Sequence, residues 1–162
     1  MNPDAFIHDY FIAEKVESLL FMLVGAAAIA LSVVLYRRRS TLRGMGGPLI
    51  AIALIQLVVG STVYLRSDAQ IAQLQQQFRA APASFKSVET QRMKAVIGNF
   101  ELYKRIEIGL LALGMAIVVL LRRREFWFAF GLGLVLQSAF MLLLDFFAEQ
   151  RAHDYFKAVL GT

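Results

Sequence analysis

The sequence predicts an all-α fold: a four-helix transmembrane bundle built from two parallel-repeat hairpins, with helices two and three extended into a projecting extramembrane helical hairpin. Three observations carry that expectation. Residues 18–36, 48–65, 106–121 and 126–147 form four apolar stretches in a chain of 162 residues that is 58% hydrophobic, too apolar for an average soluble domain of this length. Two short loops, at 37–43 and 122–125, hold seven arginines between them. A segment that precedes the first apolar stretch recurs before the third.

Residues 1–17 carry Asp4, Asp9, Glu14 and Glu17 against Lys15 alone. Without a basic n-region this segment does not read as a secretory signal and is expected to stay on the mature chain. The first span, 18–36, is nearly unbroken apolar sequence and leaves the bilayer through Arg37, Arg38, Arg39 and Arg43. Gly44, Gly46, Gly47 and Pro48 mark a tight turn, with Pro48 suited to the first position of the next helix. No breaker follows the second span until Pro82, so helix two is expected to run past Arg66 into water. Ile71, Leu74 and Phe78 recur there on one face.

Residues 80–84 form the tip, and the chain returns as helix, with Phe85, Val88, Met93, Val96, Ile97 and Phe100 among charges. This hairpin, about residues 66–105, would stand about 20–30 Å above the membrane. It runs directly into the third span. Residues 122–125 are long enough only for a turn, and after the fourth span residues 148–162 read as an amphipathic helix.

Orientation follows from the basic residues nearest the spans. The two arginine loops belong inside and the acidic N-terminus outside, which puts both termini and the hairpin in the periplasm of a bacterial inner membrane. Arg66, Lys104 and Arg105 argue the other way. The net charge of +5 follows from these loops and calls for no nucleic-acid partner. With no cysteine, disulfides, thiolate metal sites and quinone-coupled thiol chemistry are excluded.

The repeat aligns residues 8–17 with 98–107, each copy followed by a span and an Arg-Arg-Arg exit. Gln56 and Gln137 lie at corresponding depths in spans two and four. Parallel repeats of this kind imply a pseudo-two-fold axis along the membrane normal. The copies differ in length: Glu17 to Arg37 is 20 residues, Glu107 to Arg122 only 15. The second distance, about 22 Å, is shorter than the roughly 30 Å hydrocarbon core, so Glu107 is expected below the membrane surface. Arg92-Met93, Asn99-Phe100, Tyr103-Lys104 and Glu107, with residues 48–56 and 63–68, resemble a group of small four-span bacterial membrane proteins. That resemblance implies topology and a bacterial source, and transfers no activity.

Three sets of residues are candidates for function. Glu107, with Arg66 and Tyr103 at a similar depth, forms a buried ionisable group: either a proton or cation site, or an ion pair with Arg66 or Lys104 that fixes helix register. Asp145, Glu149 and His153 are spaced four apart on one helix face, and His8 and Glu17 belong to the same outer layer, so a divalent metal is the cofactor this set would take. A solvated helix face is the plainer account, and no resident cofactor is expected. The tetrapeptide His-Asp-Tyr-Phe occurs at 8–11 and at 153–156, a matched pair suited to dock at the outer surface. Ala26, Ala27, Ala28 and Ala30 with Gly109, Ala112 and Ala116 offer small surfaces for packing spans one and three together.

Two function classes follow. The preferred one is a non-enzymatic interaction protein, a complex subunit or an immunity-type protein against a membrane-targeted toxin, that binds a protein partner or a second copy through exposed Ile71, Leu74, Phe78, Phe85 and Met93. The other is a small ion, proton or metal transporter or metal-binding protein built on Glu107 and the outer carboxylates. Membrane lipid is the remaining expected partner, through the arginine triplets.

Overall fold

The computed structural model describes residues 3–161, and it is an all-α bundle of four long helices. They are α1 (Pro3–Arg37), α2 (Gly46–Ala80), α3 (Pro82–Leu120) and α4 (Glu125–Leu160), with a short 3-10 helix, Thr41–Met45, between the first two. At 35 to 39 residues each, the helices are about 52–58 Å long.

Local chemistry explains where they stop. Arg39 takes the left-handed conformation, φ 47°, while its N–H donates to the Tyr36 carbonyl and that of Ser40 to the Leu35 carbonyl, the paired bonds of a helix-ending Schellman motif. Ser40 then accepts from the Leu42 N–H at 3.1 Å and starts the 3-10 helix. That helix lies against the start of α4 because Gly44 has no side chain: a Cβ there would meet the Phe126 carbonyl oxygen. Pro48 falls in the first turn of α2. The expected five-residue tip is sharper in the structure, where Ala81 alone separates α2 from α3 and Pro82 opens the new helix. The rings of Phe78 and Phe85 meet edge-on across that corner, 5.2 Å apart.

α1 packs along α2 and α3 along α4, while α2 and α3 touch little. Close backbone approach in each pair depends on glycine. Gly25 faces the Ala53 carbonyl and Gly60 the Ser18 carbonyl between α1 and α2; Gly114 and Gly131 face each other between α3 and α4. The predicted contact of spans one and three does not form. α1 and α3 are diagonal, Ala112 and Ala116 point outward, and a Cβ on Gly109 would meet nothing within 4 Å.

The largest departure from expectation concerns the hairpin. The extensions of α2 and α3 do not stand alone, because the first turns of α1 and the last turns of α4 run beside them. Leu74, Phe85 and Met93, predicted as an exposed partner-binding face, are buried with Ile7, Phe11, Ala152, Tyr155 and Val159, and Ile71 and Phe78 pack on the same cluster. The terminal segments carry the matching apolar residues, and covering the face internally removes it from water. The ends are latched as well. Arg79 donates to Asp4 at 2.8 Å, and Lys86 donates to the Leu160 carbonyl at 2.7 Å.

Lower in the bundle the pattern inverts. Leu23, Val58, Leu113, Val119 and Leu136 face outward, while Ser32, Gln56, Gln137, Ser138 and Gly25, Gly60, Gly114, Gly131 and Gly133 face inward. α1, the segment Thr41–Ala80 that contains α2, and α4 are long and apolar enough to cross a membrane. α3 is not among them: its apolar run, residues 108–120, is 13 residues, about 20 Å.

Candidate functional site

Where the lower and upper parts meet, Glu107 is 2% exposed and neither of its carboxyl oxygens meets an N–H or hydroxyl donor. The ionisable group beside it is Asp145 of α4, a second carboxyl. Counting residues from the loops puts these two groups at different depths, but the geometry of antiparallel helices brings them together. Every Cα–Cβ bond leans toward its own helix N-terminus. Glu107 therefore leans toward the outer layer and Asp145 away from it, and the two carboxyls converge. The close approach of Gly114 to Gly131 and the Val135 backbone, where an added Cβ would lie about 3 Å from backbone atoms of both, sets the α3–α4 register.

Neither cation expected beside Glu107 is there. Arg66 is half exposed and pairs with Glu14 at 3.5 Å. Lys104 donates to Glu149 at 2.6 Å, one turn outward of the carboxyl pair. Tyr103, predicted to be buried, is 48% exposed on the outer side of α3. Residues four apart share a helix face, yet Glu107 is buried against α4 while Tyr103, one turn outward, stays half exposed.

The candidate metal residues do not converge. Asp145 faces Glu107, Glu149 holds Lys104, and Glu17 is paired with Arg151. His153 is exposed, and His8 is exposed beside Asp9. Among the described residues no three His, Cys, Asp or Glu side chains are arranged to hold a metal ion. Spacing of four on one face aligns residues along a helix, yet here each carboxylate turns to a different neighbour.

The outer layer contains a second buried carboxylate, absent from the sequence expectations. Glu89 is 1% exposed. It accepts from Arg92 Nε at 2.8 Å, from Arg92 Nη2 at 2.6 Å and from the Tyr155 hydroxyl at 2.7 Å. Burial works against the charge on Arg92, but the bidentate bond to Glu89 outweighs it and holds the guanidinium pKa above the ordinary arginine value. The Arg92 guanidinium also lies over the Phe11 ring, 5.3 Å from its centroid. The Glu89–Arg92 spacing of three was the available signal.

The two His-Asp-Tyr-Phe copies do meet, through stacked Tyr10 and Tyr155 rings 4.3 Å apart. Their histidines stay outside. Deeper in the bundle, Gln137 Nε2 donates to Gln56 Oε1 at 2.7 Å, and the buried Ser138 hydroxyl has no hydrogen-bond partner.

The arrangement thus holds two buried glutamates in opposite states of satisfaction. Glu89 has three donors and a counter-charge. Glu107 has another acid. Comparison with family models, curated proteins and solved structures returned no match.

Proposed function

We propose that the protein is a non-enzymatic, multi-pass protein of a bacterial inner membrane that takes up and releases a proton at the Glu107–Asp145 pair. The observation that carries this is the absence of any donor at Glu107, with a second carboxyl in its place. A buried carboxylate beside a half-buried one is repelled by it, and a single proton held between them relieves the repulsion. An ionisable group at membrane depth without a counter-charge marks a working site more readily than a structural one.

The groups around the pair favour exchange with one side. Lys104 and Glu149 lie one turn outward and lead to the ion pairs of the outer layer. Inward there are Ser138 and the Gln56–Gln137 bond, and then glycines and apolar side chains. This polarity suits a proton that comes and goes from the outer side and does not supply a continuous path across.

Membrane placement is supported by the outward apolar belt over an interior of glycine, serine and glutamine. Orientation with both termini and the hairpin in the periplasm is supported by seven arginines at the other end that make no ion pair among the described residues. The parallel repeat is supported by the meeting of Gln56 with Gln137, which hold corresponding places in spans two and four. The resemblance to small four-span bacterial membrane proteins is in keeping with these points. A protein partner seeking the apolar hairpin face would find it occupied by the chain's own ends.

The test is labelling with dicyclohexylcarbodiimide, which reacts with protonated carboxyls in apolar surroundings, read by peptide mass spectrometry on protein in membranes. Expected is modification of Glu107 or Asp145 that declines as pH rises, is lost in Glu107→Gln, and spares Glu89. If both residues stay unmodified at acid pH, the proton site is wrong.

A further inference from the structure

The geometry points to a binding site for one anionic phospholipid at the arginine end of the bundle. It depends on the chain lying in a bilayer and not on the carboxyl pair. A groove of about 570 Å³ opens between the end of α1, the 3-10 helix and the starts of α2 and α4, within the about 300–1,000 Å³ typical of small-molecule sites. Its walls are apolar, from Val33, Tyr36, Ile50 and Phe126, and its rim carries Arg37 and Arg43. Val33, Tyr36, Ile50 and Phe126 are all exposed.

Charge selects the occupant. Neither Arg37 nor Arg43 makes an ion pair among the described residues, and the same holds for Arg38, Arg39 and the arginines at 122–124. The acid at this end, Glu125, takes none of them. Elsewhere most of the chain's cations are paired with carboxylates, as at Lys15, Arg66, Arg79, Arg92, Lys104 and Arg151. Bare guanidinium groups above an apolar trough match a lipid phosphate above its acyl chain, with two forks available for phosphate oxygens. A free phosphate would use the rim and leave the trough empty.

Gly46 gives a way to close the groove without touching its charge. It lies in the lining with helical backbone, and a Cβ there meets only the Ser32 Cβ, at 3.8 Å. The chain's one tryptophan, Trp127, is next to the groove, its ring 5.7 Å from that of Phe126. It serves as the reporter.

The protein is reconstituted in phosphatidylcholine vesicles containing brominated phosphatidylglycerol or, separately, brominated phosphatidylcholine at the same mole fraction, and quenching of Trp127 is measured. Stronger quenching by the anionic lipid is expected. The preference should fall about five-fold for each arginine removed in Arg37→Gln and Arg43→Gln, and it should vanish in Gly46→Leu, which keeps every charge. Equal quenching by the two lipids overturns the site. So does a preference that survives Gly46→Leu, since seven arginines would then be attracting lipid diffusely. Loss of quenching on adding inorganic phosphate would make the ligand a free anion and also overturn the lipid assignment.

Discussion

Replacing Arg92 with methionine isolates the energetics of the outer layer. Glu89 is 1% exposed and takes two of its three hydrogen bonds from that guanidinium, at 2.8 and 2.6 Å. Arg92→Met keeps most of the volume but leaves a buried carboxylate with only the Tyr155 hydroxyl. Breaking one side of a buried pair costs about 3–5 kcal/mol. Arg92 itself is 29% exposed, so the loss should lie near the lower bound, about 3 kcal/mol, with the cation–π contact to Phe11 adding about 0.5–1 kcal/mol. The double variant Glu89→Leu, Arg92→Met should recover most of this and come within about 1 kcal/mol of wild type, because the uncompensated charge is gone. The assay is hydrogen–deuterium exchange of peptides covering residues 85–97 and 150–160 in detergent. A loss of about 3 kcal/mol makes exchange faster by about two orders of magnitude. If Arg92→Met changed exchange by less than about five-fold, or if the double variant were less protected than the single one, the account of Glu89 as a carboxylate held by its counter-charge would be wrong.

Three further outcomes are expected. Tyr155→Phe removes one hydrogen bond to Glu89 and keeps the stack on Tyr10, so it should cost about 1–2 kcal/mol, measured by the same exchange experiment. Arg39→Gly should raise the melting temperature in detergent, because relieving a left-handed arginine is worth about 1 kcal/mol; a drop would mean that Arg39 makes a stabilising contact that offsets its backbone strain. Gly114→Val should destabilise the α3–α4 contact by about 1–3 kcal/mol, since even a Cβ would lie 3.0 Å from the Val135 nitrogen and 3.1 Å from the Gly131 carbonyl. Its readout is heat-induced aggregation, and Gly109→Val, at a position with nothing within 4 Å, is the neutral control.

Much of the candidate site was legible one residue at a time. The short interval from Glu107 to the arginines singles out this carboxylate by its depth along the helix; its burial within the bundle, at 2% exposure, comes from packing against α4. Its partner was out of reach of the same reasoning. In the sequence Asp145 reads as part of a metal set on its own helix, because spacing along one helix is visible in a sequence while contact between helices depends on their register. Arg66 and Tyr103 make the same point: similar depth does not mean contact, since Arg66 pairs with Glu14 and Tyr103 stays half exposed. The Glu89 network stayed hidden for a related reason, since an i, i+3 glutamate–arginine pair looks the same on a solvated helix as in a core.

By itself the sequence determined the four helices, the arginine turns that separate two of the pairs, and the continuation of helices two and three far beyond a bilayer's thickness, because hydrophobic runs, breakers and propensity act within a segment. Tertiary structure alone decided what covers the hairpin. Ile71, Leu74, Phe78, Phe85 and Met93 formed an apolar face open to any partner, and the chain's own first and last turns took it, since intramolecular segments are always at hand and their burial removes apolar surface from water. Packing also decided that Glu107 faces Asp145 and not a cation. Glycine contacts hold α3 and α4 close enough for two carboxyls to meet, and no sequence pattern within either helix states that.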